Sequence, residues 1–412
     1  MMFQVALLVC LLASLLCRPP MAAAAVAEDP FPLLPGLEDS VEFWRLVFTR
    51  YGASEVIFHD PTQPMKIYQV VRVEEGKDAR RVIKEEREKI VKEHGFKEDE
   101  KRVRAQSGVK ERFAAGIKQS RKYLDQMQRI FREEGLPVEL AYLPLIESSF
   151  DIRARSTAGA LGMWQFMRST GKRFLHIGSG VDERRDPLES TRAAARLLKE
   201  HYEVFGNWPL AITAYNHGRA GILRAVSDVD SKDLMEIIRR YQSPTFGFAS
   251  KSFYAEFLAA LDVAKKWEQH FPGLEIHPPF PLEELQLARS VSIAVLLRPT
   301  DVTHSEFLEW NPAVDQGVRD LPKGYRVKVP PDKLESFVTA YQRIAEPSSK
   351  RQKAPLVSDK TISPVRHKVA PGESLSEIAQ RYRSSVREIQ HANDIADSET
   401  IIAGQVLKIP KR

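Results

Sequence analysis

The chain has 412 residues, a formal net charge of +6, and the apolar-to-charged balance of an ordinary soluble globular protein. That length accommodates two or three domains, each with its own core, and the small positive surplus implies no nucleic-acid surface while leaving an anionic polymer unrepelled. Cys10 and Cys17 are the only cysteines, so from residue 28 onward no disulfide or thiol chemistry is expected.

Residues 5–16 form an apolar run of secretory h-region length, and the alanine-rich stretch 21–27 ends in Ala25-Val26-Ala27. Residues 1–27 are therefore expected to be a signal peptide cleaved near Ala27, although no Lys or Arg precedes the run. The run is shorter than the roughly 20 apolar residues of a membrane-spanning helix. Acylation of Cys17 is the alternative. Leu16 stands before it, where a small residue would be expected, so soluble export is favoured. Either way the location is extracytoplasmic, in the periplasm or cell envelope, with outer-membrane association if Cys17 carries lipid.

A proline-rich lead-in precedes Asp39 and Glu42, spaced as a capping box for a helix over 41–48. The β-branched stretches 55–58 and 67–73 flank Pro61 and Pro64 and predict a hairpin, with His59-Asp60 at its turn rather than in a metal site. Residues 74–94 carry dense charge of both signs over a thin apolar stripe, the pattern of a solvated helix. A helical period over 113–131 stops at Gly135.

The next helix, 138–147, contains Pro144, which should kink it. Its apolar run 140–146 delivers one carboxylate, Glu147. Burial there would raise the pKa of the acid and keep it protonated near neutrality, as a general acid requires. A loop of small and basic residues, 151–162, follows. Asp186-Pro187 opens a longer helix ending at Gly206, with Asp182, Glu183 and Asp186 as capping acids. Residues 210–216 and 253–271 are again helical by pattern.

Beyond the proline cluster at 277–281 the character changes. Strand-like ends flank a helical middle over 285–330. The Pro-, Ser- and Lys-rich stretch 347–363 reads as a linker, spanning roughly 20–25 Å, and a last unit covers 366–410. Glu306 and Asn311 precede Tyr325-Arg326-Val327-Lys328-Val329-Pro330, and Glu388 and Asn393 precede Gln405-Val406-Leu407-Lys408-Ile409-Pro410 at matching mutual spacing. An internal repeat is the economical explanation.

Three strings, Glu147-Ser148-Ser149-Phe150, Gly162-Met163-Trp164-Gln165-Phe166-Met167 and Ala214-Tyr215-Asn216-His217-Gly218, together with Ser156, resemble the signature of lytic murein transglycosylases with a goose-lysozyme-like fold. The likeness is strongest to the membrane-bound D type and covers roughly 40–271. Arg168 stands where such enzymes often carry proline. Residues 366–410 resemble a lysin motif (LysM), a βααβ glycan-binding module, through His367-Lys368-Val369, Gly372-Glu373-Ser374-Leu375, Ile378-Ala379 and Asn393.

The resemblance implies a mainly α, lysozyme-like (α+β) catalytic domain over 113–271, preceded by an accessory region over 40–112. A degenerate LysM-like α/β segment over 285–346 and the small βααβ LysM domain would follow. It implies nonhydrolytic cleavage of the β-1,4 bond between N-acetylmuramic acid and N-acetylglucosamine, with Glu147 as acid and then base. Ser156 is the candidate for the substrate's N-acetyl group, and Gln165, Met167, Tyr215 and Asn216 for the rest of the substrate contact. Trp164 is expected in the core. Gly372, Glu373, Ser374, Leu375 and Asn393 are the implied glycan contacts of the LysM unit. Peptidoglycan strands are the implied partner, with no metal, cofactor or nucleic acid. A hydrolytic muramidase and an inactive glycan-binding scaffold are the alternatives, the first because one glutamic acid can serve both reactions. Most glycosidases use two carboxylates, and the sequence shows no obvious partner for Glu147.

Overall fold

The computed structural model describes residues 29–74, 76, 78–96, 100–345, 365–382, 384–393, 395 and 401–410. The expected signal peptide over 1–27, with both cysteines, and the expected linker over 347–363 lie outside them. The described residues fall into two compact units, one up to residue 344 and one from residue 345 onward.

The first unit opens with helix α1 (Glu38–Thr49) and an antiparallel hairpin, β1 (Glu55–Asp60) and β2 (Gln63–Arg72). Helix α2 (Ala79–Glu93) follows, and then β3 (Arg104–Ser107), which pairs with the free side of β1. The Asp39/Glu42 capping box does not form. The helix starts at Glu38, three residues earlier than expected, after Leu37, and no side chain caps it. Asp60 closes the hairpin, accepting bonds from Thr62 N at 2.8 Å and Tyr68 Oη at 3.1 Å. Val56, Phe58, Ile90, Val91 and Val103 form a small core between this sheet and α2.

The period expected over 113–131 is split into α3 (Lys110–Ser120) and α4 (Leu124–Glu133) by a turn at 121–123. A 3-10 turn (Val138–Tyr142) leads into the single-turn helix α5 (Pro144–Glu147), with Pro144 in its first turn. The proline ends one helical geometry and begins another, leaving Glu147 as the last helical residue. After the loop 148–167 come the short α6 (Arg168–Gly171) and a tight hairpin of β4 (Ile177–Gly178) and β5 (Val181–Asp182).

Helix α7 (Pro187–Phe205) is capped by Asp186, whose carboxylate accepts from Leu188 N and Glu189 N at 2.9 Å, and it stops at left-handed Gly206. Helix α8 (Trp208–His217) has Leu210, Ala211, Ile212 and Ala214 fully buried, each large apolar side chain contributing roughly 1.5–3 kcal/mol. It packs between α7 and α11. Helices α9 (Arg219–Val229), α10 (Leu234–Arg240), α11 (Phe248–Lys265) and α12 (Trp267–His270) complete the helical part. Helices α9 and α10 lie between the two helices expected over 210–216 and 253–271, where the sequence pattern gave no element.

Residues 283–344 add β6 (Glu283–Gln286), β7 (Val291–Ser292), α13 (Ile293–Leu297), α14 (His304–Trp310), β8 (Asp320–Leu321), β9 (Arg326–Val329) and α15 (Leu334–Ala345). Strand β6 pairs with β9, and β7 with β8. This segment shares one continuous apolar core with the helical part, running from Phe31 to Ala340.

The second unit is a βααβ module: β10 (Val365–Lys368), α16 (Leu375–Arg381), α17 (Val386–Ala392) and β11 (Val406–Ile409), with the two strands antiparallel. Leu375, Ile378, Ile389, Leu407 and Ile409 form its own core. The internal repeat is visible bond by bond. Asn311 donates to Phe307 O and Lys328 O and accepts from Lys328 N. Asn393 does the same with Ile389 O, Lys408 O and Lys408 N. The capping box Thr303/Glu306 has its counterpart in Ser385/Glu388.

Candidate active site

Glu147 ends α5, where it keeps partial access to solvent, and the chain then turns sharply. Ser149 and Phe150 both take left-handed backbone (φ +56° and +60°), a conformation that costs non-glycine residues of order 1–3 kcal/mol and is concentrated at functional sites. Ser148 holds the turn, donating to Met163 O at 2.8 Å. The Glu147 carboxyl makes no hydrogen bond or ion pair among the described residues. With no cation to offset it, burial raises its pKa from 4.5 to about 8.

The loop 154–167 faces other parts of the fold through a dense set of bonds. Ser156 closes a turn, its hydroxyl accepting from Ala160 N at 2.9 Å, which leaves its own proton available. Gln165, also left-handed (φ +49°), donates to Gly162 O at 2.8 Å and Ala154 O at 3.2 Å. Its amide nitrogen therefore braces the loop, and its carbonyl oxygen has no partner among the described residues. Gly162 is required: a Cβ there would lie 1.8 Å from Arg184 O, and its φ is +79°. Trp164 is fully buried, as expected, and donates to Thr191 Oγ1 at 2.9 Å. Met167 is 42% exposed, an unusual setting for a large apolar side chain.

Helix α8 supplies the other residues. Tyr215 donates its hydroxyl to Trp164 O at 2.8 Å, tying α8 to the loop. Its pKa is raised well above 10, first by burial and then by the Glu147 carboxylate, which places its ring system near the acid. Asn216 is exposed and accepts from Ser250 Oγ at 3.3 Å.

A second carboxylate completes the cluster. Glu256 on α11 is raised from 4.5 to about 8, by burial first and then by the negative charge of Glu147, against an opposing pull from Arg104. Its carboxyl makes no hydrogen bond or ion pair among the described residues. Arg104 comes from β3, where its guanidinium stacks 4.3 Å above the Phe248 ring. Sequence distance concealed this pairing. The one available signal was a lone acid in the apolar run Phe253-Tyr254-Ala255-Glu256-Phe257, which periodicity assigns to a buried face.

A protein-family profile described as "Transglycosylase SLT domain" matches residues 128–238, and one described as "LysM domain" matches 367–410. The putative tributyltin chloride resistance protein of Alteromonas sp. (strain M-1) is 33% identical over 154 residues, 37% of this chain and 72% of its own length. The membrane-bound lytic murein transglycosylase D of Escherichia coli (strain K12) is 27% identical over 285 residues. The chain belongs to the SLT-domain transglycosylase family.

Within this transglycosylase family chain, the match to the Escherichia coli protein covers 68% of the chain and 61% of that relative's length. The solved 70 kDa soluble lytic transglycosylase of Escherichia coli aligns over 35% of this chain and 24% of its own, at 20% identity and a TM-score of 0.30. Glu147, Ser156, Gln165, Met167, Tyr215 and Asn216 all lie inside the SLT match, whereas Glu256 and Arg104 lie outside it.

In the LysM module, the named residues divide by role. Leu375 is buried in the core. Asn393 bonds the strand β11 backbone. Glu373 accepts from Ala370 N at 3.0 Å and lies 2.7 Å from both His367 Nε2 and Arg381 Nη1. Gly372 and Ser374 are exposed, Ser374 capping α16. No group of three or more metal-ligating side chains and no helix long and apolar enough to cross a membrane occurs among the described residues.

Proposed function

We propose that the chain is an exported peptidoglycan lytic transglycosylase. It cleaves the β-1,4 bond between N-acetylmuramic acid and N-acetylglucosamine without water and leaves 1,6-anhydromuramoyl ends. The observation that carries this reading is the unpaired Glu147 carboxyl, kept protonated to about pH 8 by burial alone. A protonated acid can protonate the bridging oxygen as the bond breaks. The resulting carboxylate then takes the proton of the muramoyl 6-hydroxyl as that oxygen attacks C1. Catalyst and solvent return to their starting states, and the substrate supplies the nucleophile.

The surrounding groups suit the supporting roles. Ser156 offers its hydroxyl proton to the substrate's N-acetyl carbonyl. Gln165 presents its free carbonyl oxygen, Met167 an apolar contact for a sugar face, and Asn216 an exposed amide. Tyr215 holds α8 against the loop beside the acid. The LysM module, with the turn Gly372–Leu375 and Asn393 setting its shape, keeps the catalytic unit at high effective concentration along the strand. Export follows from the segment 1–27, and attachment to an envelope membrane from Cys17 if it is acylated.

Glu256 favours one second reading. Two carboxyls flanking a scissile bond are the usual glycosidase equipment, and a charged Glu256 could activate water for hydrolysis. Mass spectrometry of products from purified peptidoglycan separates the two. Anhydromuramoyl ends support the transglycosylase, and reducing muramic acid ends in their place would establish the hydrolase.

A further inference from the structure

The segment 283–329 repeats the fold of the C-terminal module, yet its polar side chains face a different task. Lys328 and Lys408 occupy equivalent positions, each bonded through its backbone to the matching asparagine. Lys408 is exposed, whereas Lys328 is 1% exposed. The Lys328 ammonium lies 2.9 Å from Asp186 and 2.9 Å from Glu189, at the start of α7. Arg326 adds a bond to Glu189 at 2.7 Å, and Arg192 binds Glu284 at 2.8 Å.

The loop after α14 is attached to the β4–β5 hairpin as well. Asp182 N donates to Ala313 O at 2.8 Å, and Asp315 N to Gly180 O at 2.8 Å. Arg185 reaches Ala313 O and the Asp315 carboxylate, both at 2.7 Å. A Cβ on Gly180 would lie 2.3 Å from Val318. Where the C-terminal module has its Gly-Glu-Ser-Leu turn, this copy has β7 zipped to β8.

The hairpin in turn holds the loop of the active site. Asp182 grips the Arg184 guanidinium at 2.7 Å, and Arg184 donates to Phe166 O at 3.1 Å and Gly159 O at 3.3 Å. Its own carbonyl closes over Gly162. These contacts bracket Ser156, Gln165 and Met167.

We infer that the 283–329 copy has become a fixed brace for the loop carrying Ser156, Gln165 and Met167, with Lys328 and Arg185 as positioning residues. The catalytic half of this inference rests on the function proposed above; the mechanical half does not. Buried ion pairs add little net stability relative to apolar packing, and their best attested use is fixing register. A register device is what the loop needs, because a shift of about 1 Å in a substrate-positioning group can cost about a hundredfold in rate.

The test uses the full-length protein carrying Arg185→Ala, which removes two edge contacts without stranding a buried charge, and Lys328→Met alongside it. Hydrogen exchange followed by mass spectrometry reads the loop directly, and steady-state cleavage of peptidoglycan reads kcat and KM. In Arg185→Ala, exchange within 154–167 should quicken about tenfold, with 365–410 unchanged. The same variant should lose about tenfold in kcat while KM moves less than about twofold, a split that lowered global stability would not produce. Lys328→Met should show the same pattern more strongly if it folds; if it does not, Arg185→Ala decides. Unchanged exchange over 154–167 in folded Arg185→Ala would overturn the brace. Quickened exchange with unchanged kcat would overturn its role in positioning. If the parent yields reducing ends, the proposed chemistry fails while the exchange result still stands.

Discussion

Two clusters of buried carboxylates in the same unit behave oppositely. Glu147 and Glu256 have no bonded partner among the described residues, and burial holds both near 8. At Glu189 burial also pushes upward, but Lys328, Arg192 and Arg326 overcome it and hold the carboxyl at about 2. The first cluster stores a proton, whereas Glu189 in the second stores a charge; its neighbour Asp186 is pushed up, burial outweighing the pull of Lys328. Burial sets the cost in both, and at Glu189 the three fixed cations decide which form is kept. A catalytic acid needs the first arrangement, and a brace needs the second.

The largest expected effect comes from removing the stored proton. Glu147→Gln should lower the rate of muropeptide release by about 10³-fold or more, since general acid–base catalysis by one group supplies 10²–10⁴-fold. Unchanged binding to insoluble peptidoglycan through the C-terminal module would show that only the chemistry was lost. Release at the parental rate would remove Glu147 from the mechanism.

Removing the stored charge should cost stability instead. Lys328→Met leaves Asp186 and Glu189 without their lysine and should destabilise the first unit by about 3–5 kcal/mol. Lys408→Met, at the exposed equivalent, should change its module by less than about 0.5 kcal/mol. Chemical denaturation measures both. Equal effects would erase the distinction between the two copies. Because the Glu189 pKa is depressed, its contribution is present above about 4.5 and is lost as pH falls toward 2.

Glu147→Gln should also stabilise the protein, but only at alkaline pH. The folded pKa is raised, so the ionised form is penalised by folding, and that penalty grows as pH rises from 4.5 to about 8. The variant should match its parent near pH 4 and exceed it by about 1–3 kcal/mol above pH 8, a figure reduced for the access of Glu147 to water. Parallel melting curves across pH would contradict the raised pKa. The smallest effect is expected at Glu256. Glu256→Gln removes a like charge beside Glu147 and should move the alkaline limb of the activity profile down by a few tenths of a pH unit. An upward move would mean that Glu256 does not repel Glu147.

Much of this was legible in the sequence because it depends on local chemistry. Pro144, Asp186-Pro187 and Gly206 mark their helix boundaries by missing donors, capping oxygens and left-handed backbone. The repeat could be read from Asn311 and Asn393 because each asparagine bonds the same strand it is spaced from. The local strings around Glu147, Gln165 and Tyr215 fold into one cluster. What could not be read depends on contacts distant along the chain. Glu256 lies more than a hundred residues after Glu147, inside an apolar helix run, and Arg104 reaches it from a strand that had no sequence signal. Lys328 and Lys408 sit at matching positions, each between two β-strand apolar residues and two before a proline, and the packing of the first against α7 separates a buried cation from an exposed one.

The account depends most on the protonation state of Glu147, and carbon-13 NMR of protein labelled at the glutamate side-chain carboxyl measures it directly. The signal that disappears in Glu147→Gln should titrate near pH 8 in the parent. Titration of that signal near 4.5, the ordinary value, would contradict the claim that burial without a partner arms the acid.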